Sequence, residues 1–325
     1  MDRRTFLKSA IGIAATSNLI ACADLLGSKK ELFQISLAEW SLHNTIFGEK
    51  LQSLGWSEMH KALREDSEKA LSGTISNLDF PVVARQRFGI EAVEYVNQFF
   101  IDKAHDEKYL TKLNNIVKQE GVKNVLIMID AEGSLGTSNV EERNIAIKNH
   151  LKWVDCAAFL GCHSIRVNTY GDGSEEEQMK NSADSLNQLA QYGDKQSINI
   201  LVENHGGFSS DSNWLSKVMK LADHKRVGTL PDFGNFPDEA DIYKEIKQLM
   251  PFAKGVSAKS SKFDENGNEV RIDYEKMMKI VLDAGYRGYV GIEFGGEREF
   301  EEDGIKKTKA LLEKTKISLT KNYNL

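Results

Sequence analysis

The amino-acid sequence predicts an α/β protein whose fold is a (β/α)8 TIM barrel, a parallel eight-stranded sheet closed into a barrel. Short apolar segments alternate along the chain with longer stretches of helical periodicity, a pattern typical of parallel strands joined by crossover helices. Eight such units are present, which is the number at which a parallel sheet closes on itself. A length of 325 residues fits one barrel-sized domain, which we expect to span residues 33–325.

The strands are predicted from short apolar runs that end at glycine or at a polar side chain. In chain order they are residues 33–42, 89–96, 124–130, 164–168, 200–203, 227–235, 253–259 and 288–296. A doubly wound open sheet has the same alternation of strands and helices. No glycine-rich phosphate-binding turn follows the first strand, however, and this weakens that alternative.

Helices are predicted where apolar residues recur at helical spacing between capping signals. Asp79 and Pro81 mark a helix start, with the aspartate near the cap and the proline in the first turn. A helix is predicted at residues 140–160 and is stopped by Gly161. Further helices are predicted around 185–192, at 274–284 and in the Lys- and Glu-rich C-terminal segment.

The first residues form a separate segment, predicted to be an export signal over residues 1–22 and a short polar tether over 23–32. Arg3 and Arg4 begin a twin-arginine pattern, and the residues that end at Cys22 resemble a bacterial lipobox. We therefore expect export by the twin-arginine route, cleavage before Cys22 and lipidation of its thiol. The alternative is a frayed amphipathic helix. The exported protein would be a periplasmic, membrane-anchored lipoprotein that touches the membrane only through its lipidated N-terminus.

Composition and charge argue against several classes of partner. The sequence is 41% hydrophobic and 28% charged, and its formal net charge is −6. Nucleic-acid binding normally needs a basic face, so this charge argues against a phosphate-backbone partner. No apolar run in the body of the chain is long enough to span a bilayer. Cys156 and Cys162 lie in an apolar helical run and at a strand start, and we expect two structural thiols.

Polar side chains follow the apolar part of most predicted strands, and in a barrel these strand ends form the active-site face. The acids Glu203, Asp232 and Glu293 belong to strands five, six and eight, and we expect them to converge. Carboxylates held close together raise one another's pKa unless a positive group lies among them. A divalent cation is one solution, and a lysine is another. The other polar residues at these ends are Glu39, His43, Glu94, Asn168, His205, Asn235, Ser257 and Lys259.

Three motifs stand at the ends of strands five, six and eight. They are Glu-Asn-His-Gly-Gly at 203–207, Pro-Asp-Phe-Gly-Asn at 231–235 and Tyr-Arg-Gly-Tyr-Val-Gly-Ile-Glu at 286–293. Together with residues 36–42 and 92–96, they resemble the xylose-isomerase-like TIM-barrel superfamily, in particular its sugar phosphate isomerase/epimerase family. The likeness covers most of residues 33–315, and the motifs occur in the order that the family shows.

The resemblance implies a divalent metal, either Mn, Mg, Co or Zn, whose ligands here would be Glu203, Asp232 and Glu293. It also implies that the two glutamates flank the sugar carbon that loses and regains a proton next to a carbonyl. The family's remaining ligand is a histidine on strand seven, but Ser257 stands at that position. Either His205 supplies the imidazole, or Lys259 supplies the positive charge itself. The candidate catalytic residues are therefore Glu203, Glu293, His205 and Lys259.

Substrate contacts are predicted at the same face of the barrel. Trp40 offers an apolar platform for a sugar ring, and Asn235 stands where the family often has a histidine. Arg166 lies two residues before Asn168 and shares its side of the strand. The predicted substrate-binding residues are Glu39, Trp40, Glu94, Asn168 and Asn235. The histidines expected to face solvent, from their polar helical contexts, are His60, His105 and His224.

The leading hypothesis is an exported isomerase or epimerase that moves a proton next to the carbonyl of a free or oxidised sugar, so that its partner is a small-molecule carbohydrate. A sugar lyase or dehydratase of the same barrel family uses the same enediolate chemistry and is the nearest alternative. A sugar-binding barrel without catalysis is a third hypothesis, motivated by Ser257. An abasic-site endonuclease would need a histidine-rich multi-metal centre and a basic surface, which the sequence lacks. The oligomeric state is left open, including a homo-oligomer.

Overall fold

The structure is a computed structural model that describes residues 31–323. The predicted signal segment, residues 1–22, lies outside the described residues, as does the tether up to residue 30. The described chain forms the (β/α)8 barrel that the alternation of strands and helices predicts. Within this part of the chain, no helix combines the length and the apolar character needed to cross a membrane.

Eight short strands form the sheet, and all of the paired neighbours run parallel. They are β1 (Gln34–Ala38), β2 (Ala92–Val96), β3 (Lys123–Met128), β4 (Ser164–Val167), β5 (Asn199–Glu203), β6 (Val227–Leu230), β7 (Val256–Ser260) and β8 (Tyr289–Phe294). Their order in the sheet is β6-β5-β4-β3-β2-β1-β8-β7. The carboxyl ends of all eight strands therefore lie at one end of the sheet.

The barrel closes between β6 and β7. The contact there consists of isolated parallel bridges, one of which joins Asp232 to Ser257. The backbone NH of Ser257 donates to Pro231 O at 2.9 Å, and that of Phe233 donates to Ser257 O at 3.1 Å. These bonds lie beyond the end of β6, at the level of Asp232, and the NH of Lys254 donates to Thr229 O at 3.0 Å deeper along the same edge.

Helices fill the connections between the strands. They are α1 (His43–Gln52), α2 (Trp56–Glu65), α3 (Ser67–Ala70), α4 (Phe80–Phe88), α5 (Glu107–Glu120), α6 (Val140–Leu160), α7 (Glu175–Asp194), α8 (Ser212–Ala222), α9 (Ile242–Leu249), α10 (Tyr274–Asp283) and α11 (Glu301–Thr320). The bounds of α6 agree with the prediction, because Asn139 caps two NH groups of its first turn and Gly161 ends it with a φ of 74°. Likewise, α4 begins after Asp79 and has Pro81 in its first turn.

Seven of the eight strands are shorter than predicted, β5 being the exception, and three of them show why. β1 stops at Ala38, because residues 39–42 turn into a 3₁₀ helix. β2 starts at Ala92, since Gly89 is the left-handed cap of α4 with a φ of 61°. β6 stops at Leu230, before the bend that carries Asp232. Several of the predicted polar residues therefore lie in turns at the rim of the barrel and not in its strands.

The inside of the barrel changes from apolar to ionisable along its axis. Leu126, Leu201 and Leu230 crowd around Gly255, where an added Cβ would lie 2.5 Å from the Leu230 side chain. Two residues beyond Leu201, on the same side of the strand, comes Glu203. One end of the interior is therefore a packed core, while the charged residues gather at the carboxyl ends of the strands. Outside this interior, the predicted structural thiols are both free and buried, namely Cys156 and Cys162.

Candidate active site

Three carboxylates meet at the C-terminal end of the barrel. Glu203 is the last residue of β5, Asp232 follows β6 by two residues, and Glu293 lies one residue before the end of β8. One oxygen atom from each lies within 4.8 Å of the others, and all three side chains are buried. The predicted convergence of these acids is confirmed, and we refer to the three as the acid triad.

Asp232 is fixed by its own turn and by two neighbours. Its Oδ1 accepts the backbone NH groups of Gly234 and Asn235, each at 2.8 Å, and Ser257 Oγ donates to its Oδ2 at 2.6 Å. The side chain of Asn204 exchanges two hydrogen bonds with the backbone of Asp232, at 2.8 and 2.9 Å. Ser257 therefore orients a carboxylate at the position where the family resemblance implies an imidazole.

A buried guanidinium links the acid triad to a fourth carboxylate. Arg166 Nη1 donates to Asp130 Oδ1 at 2.9 Å, and Arg166 Nε lies 2.8 Å from Glu203 Oε2. All three of these side chains are buried. Asn235 Nδ2 donates to the other oxygen of Glu203 at 2.8 Å, so this predicted substrate contact instead bonds to a catalytic candidate. Arg166 thus supplies one positive charge at the site and forms an ion pair with Glu203, without a hydrogen bond between Nε and Oε2.

Lys259 supplies the second positive charge. Its Nζ donates to Glu293 Oε1 at 2.5 Å. Its stem passes between Gly234 and Gly295, where an added Cβ would lie 2.7 and 3.2 Å from the lysine side chain. Burial alone would lower the pKa of Lys259, but the attraction of the acid triad outweighs burial and raises it. The ammonium group is therefore charged at neutral pH.

The pKa values of the two glutamates shift in opposite directions. Burial raises the pKa of Glu203 to about 7, against the attraction of Arg166, and burial also raises the pKa of Asp232 to about 7. For Glu293 burial acts in the same sense, but the charge and hydrogen bond of Lys259 outweigh it and lower the pKa. At neutral pH Glu293 is therefore ionised, whereas Glu203 is poised to exchange a proton.

His205 lies at the edge of the site and outside the acid triad. Tyr170 OH lies 2.7 Å from His205 Nδ1 and donates to the His205 carbonyl at 2.5 Å. Burial lowers the pKa of His205, and the charge of Arg166 lowers it further, so the imidazole is neutral at neutral pH. Among the described residues, no histidine or cysteine joins the acids that could hold a metal. Of the two predicted replacements for the imidazole missing at Ser257, the geometry favours Lys259.

Glu39 and Trp40 follow β1 but differ in exposure. Glu39 is fully buried: Asn77 Nδ2 donates to its Oε1 at 2.9 Å, and the NH of Val96 donates to its Oε2 at 3.0 Å. Burial raises the pKa of Glu39 to about 8. Because both oxygens are engaged inside the fold, this placement favours a structural role over the predicted contact with a substrate. Trp40 is half-buried and stacks on His43, with ring centroids 4.5 Å apart.

Glu94 points into the barrel, and its carboxyl group lies further from the carboxyl ends of the strands than the acid triad does. Ser36 Oγ donates to its Oε1 at 2.5 Å, and its Oε2 has no hydrogen-bond partner among the described residues. Gly291, two residues before Glu293 on β8, makes room for this group, because an added Cβ would lie 2.5 Å from Oε2. Burial raises the pKa of Glu94 to about 7, and the charges of Glu293 and Glu203 act in the same direction.

A cavity of about 700 Å³ opens beside the acid triad. Its lining includes Asp130, Asn168 and His205 near the ends of β3, β4 and β5, and Trp56 and His60 on α2. Asn168 Nδ2 donates to Asp130 Oδ1 at 2.7 Å, while the buried Asn168 Oδ1 has no partner among the described residues. The volume is typical of a small-molecule site, and Asn168 forms part of its wall.

Sequence reasoning missed three residues of this region. The expectation that His60 faces solvent was wrong: it is buried, its Nε2 contacts the Gln98 amide, and Trp56 packs edge-on at 4.3 Å. Asp130 ends the third predicted strand, so the rule that selected the acid triad could have found it. Tyr170 lies in a loop, where no periodic pattern indicates its contact with the site.

Family comparison agrees with the geometry. The family model of the xylose isomerase-like TIM barrel matches residues 83–315, well over half of the chain. The chain belongs to this family. The resemblance predicted from the strand-end motifs is thus confirmed. No match to the chain is found among curated proteins.

Solved structures of several other proteins share the fold of this chain. The IolI protein with a bound zinc atom has a TM-score of 0.66 at 13% identity, covering 90% of this chain and 100% of its own. The apo form of 3-keto-D-glucoside 4-epimerase, YcjR, from E. coli has a TM-score of 0.62 at 14% identity, covering 87% and 99%. The probable 3-DHS dehydratase AsbF from Bacillus anthracis has a TM-score of 0.61 at 16% identity, covering 86% and 99%. At these identities the likeness shows the shared fold alone.

Proposed function

We propose that this barrel is a sugar isomerase or epimerase that moves a proton on the carbon next to a carbonyl, assisted by a divalent cation. One observation carries the proposal: Glu203, Asp232 and Glu293 are buried within 4.8 Å of one another at the active-site end of the barrel. Burying carboxylates together has a large free-energy cost. Neighbouring acids with unlike pKa values are the usual sign of acid–base chemistry.

The two glutamates suit complementary steps of a proton transfer. Glu293 stays ionised, and its Oε2 has no hydrogen-bond partner among the described residues, so this atom can accept the α-proton of a sugar. Glu203, with a pKa of about 7, is present in both protonation states at neutral pH and can return a proton. Return to the same carbon from the opposite face is epimerisation, and return to the neighbouring carbon is isomerisation.

The positive groups suit the charge that develops during this transfer. Removal of the α-proton leaves an enediolate with negative charge on its oxygens, and fixed cations nearby stabilise such a charge without rearrangement. Arg166 is buried beside Glu203, and Lys259 is half-buried beside Glu293. The neutral His205 and its partner Tyr170 lie at the edge of the same site, where they can bond sugar hydroxyl groups.

The donor set fits a hard divalent cation. Asp130 and the acid triad carry four negative charges when ionised, and the arginine and lysine carry two positive charges, so that four minus two leaves a net charge of −2. The acid triad would hold the cation. Because Ser257 replaces an imidazole, the ligands are oxygen atoms, which favours Mg²⁺ or Mn²⁺ over Zn²⁺. When bound, the cation would polarise the carbonyl of the sugar.

We further propose that the enzyme acts outside the cytoplasm, as a lipoprotein, on a free or oxidised sugar. The support is the twin-arginine pattern at Arg3 and Arg4 and the lipobox that ends at Cys22. Replacing Cys22 by serine should move the protein from the membrane fraction to the soluble fraction of cells and abolish labelling with a fatty acid. Unchanged membrane association would contradict the lipid anchor.

Proton exchange in heavy water tests the proposed reaction. With Mg²⁺ or Mn²⁺ added, we expect the protein to incorporate deuterium next to the carbonyl of D-fructose or another keto-sugar, detected by NMR. Glu293→Gln keeps the shape of the side chain but removes the proposed base, and should slow exchange by roughly 10²–10⁴-fold. Glu107→Gln, on the exposed surface of α5, is the matched control and should keep the native rate.

Three other outcomes separate the alternatives. Exchange that is equally fast in Glu293→Gln would rule out the role of base given to this residue. Sugar binding without any exchange would favour the non-catalytic sugar-binding barrel that Ser257 suggested. Loss of water from the sugar, accompanied by exchange, would instead identify a dehydratase that uses the same enediolate.

A further inference from the structure

A second binding region adjoins the acid triad and takes no part in the proposed proton transfer. The cavity of about 700 Å³ has His205 and Asn168 in its lining at the strand ends and Trp56 and Arg64 on α2. The acid triad itself does not line this cavity. Asp130, which lines the cavity, and Glu203 of the acid triad contact the same guanidinium, that of Arg166, so the cavity lies next to the triad.

The α2 side of the cavity offers an open aromatic face. Trp56 is 56% exposed, although its ring packs on His60 at 4.3 Å and on Trp40 at 6.5 Å between centroids. These contacts hold the indole in place while part of its surface stays open. Such a face suits the apolar CH groups of a pyranose ring, since aromatic side chains bind apolar surface with a fixed geometry.

The strand side of the cavity is polar and is fixed by the fold. Asn168 is held by Asp130, and it shares the wall with Tyr170 and His205, whose hydroxyl and imidazole groups can bond the hydroxyls of a ligand. Ala131 has a φ of 60°, which is uncommon for a residue other than glycine. Its carbonyl accepts a hydrogen bond from the guanidinium of Arg64. This bond links α2 to the loop that follows β3, between two residues that line the cavity.

We propose that the substrate is a glycoside of at least two sugar units, with the reacting sugar at the acid triad and a second ring stacked on Trp56 in this cavity. The inference rests on the proposed proton transfer and extends it by naming the substrate class. The volume of about 700 Å³ lies in the upper half of the range of roughly 300–1,000 Å³ for small-molecule sites. A hydroxyl-rich ring can pair the amide and imidazole groups of the wall, which a purely apolar ligand would leave unpaired.

A comparison of substrates tests the second-ring site. Deuterium exchange next to the carbonyl is measured for D-fructose and for lactulose and maltulose, two disaccharides whose reducing unit is fructose. We expect kcat/KM to be at least about tenfold higher for one disaccharide than for fructose. Trp56→Ala should remove most of this advantage of the disaccharide over fructose, and Trp56→Phe should retain it. Phe159→Ala, at an exposed aromatic on α6 outside the cavity, is the control.

A binding measurement separates this inference from the proposed reaction. Methyl β-cellobioside and methyl α-maltoside have no carbonyl, so calorimetry compares their binding with that of methyl glucosides without any need for catalysis. Tighter binding of a disaccharide that is lost in Trp56→Ala supports the second-ring site, even where no sugar shows exchange and the proposed reaction fails. Equal binding of one-ring and two-ring sugars, or an equal loss with fructose and disaccharides in Trp56→Ala, would overturn the second-ring site.

Discussion

The native protein should become less stable as the pH rises through the pKa of the buried Glu94, and the Glu94→Gln variant should not show this decrease. Burial raises the pKa of Glu94 from 4.5 to about 7 in the folded state, so between these values the folded protein keeps a proton that the unfolded chain has released. The stability contributed by this carboxyl is therefore complete below pH 4.5 and is lost as the pH rises through about 7. The amide of the variant does not titrate.

The size of this effect follows from the two pKa values. They are 4.5 and about 7, a difference of about 2.5. Since each pKa unit corresponds to about 1.36 kcal/mol, the free energy of unfolding of the variant should rise by about 3 kcal/mol relative to that of the native protein between low pH and about pH 8. Ser36 can still donate to the amide oxygen, while the amide NH₂ replaces the carboxyl oxygen that has no partner. Any cost of that NH₂ is the same at every pH and cancels in the comparison.

Urea unfolding at a series of pH values measures the difference, with a chelator present so that the acid triad binds no metal. Glu107→Gln, on the exposed side of α5, controls for the loss of one negative charge and should follow the native protein. If the free energy of unfolding of Glu94→Gln differs from the native value by the same amount at every pH, or falls relative to it as the pH rises, the barrel interior holds no protonated carboxyl at this position.

The positive groups and the metal site give three further predictions. Arg166→Met should lower the free energy of unfolding by roughly 3–5 kcal/mol in chemical denaturation, because two buried carboxylates lose their cation, and a loss below about 1 kcal/mol would contradict the ion pairs. Lys259→Met removes the main group that lowers the pKa of Glu293. The acidic limb of the pH–rate profile for exchange, where the base becomes protonated, should therefore move to higher pH. If this limb stays at the same pH, Glu293 is not the base. Mn²⁺ at a hundredfold excess over its dissociation constant should stabilise the protein by about 2.7 kcal/mol, and Asp232→Asn should abolish this gain, whereas equal stabilisation of both proteins would locate the ion elsewhere.

The barrel and the acid triad could be predicted from the sequence for the same physical reason. Parallel strands joined by helices must present their carboxyl ends on one face, so acids that follow such strands meet whatever their distance along the chain. Glu203, Asp232 and Glu293 obey this rule directly. The bounds of α6 were predictable too, because Asn139 and Gly161 are capping residues whose effect is local.

Contacts that depend on distant partners could not be predicted in this way. Glu39 follows a strand just as Glu203 does, but its carboxylate turns towards Asn77 and the backbone of the next strand. His60 has polar neighbours along its helix, yet the packing of α2 against Gln98 buries it. Strand-end position indicates which face a residue belongs to, whereas the direction of its side chain depends on groups that come together only in the folded chain.

The closing edge of the barrel runs through the acid triad, and this gives a signal of occupancy. β6 and β7 meet only through isolated bridges, one of them between Asp232 and Ser257, so this edge should open more readily than the regular ladders elsewhere. A ligand or ion that contacts Asp232, Glu203 and Glu293 at the same time would hold β6 and β7 together at this edge. The amide protons of Phe233 and Ser257, which bond across this edge, would then exchange with solvent more slowly, revealing a filled site without a turnover assay or a known substrate.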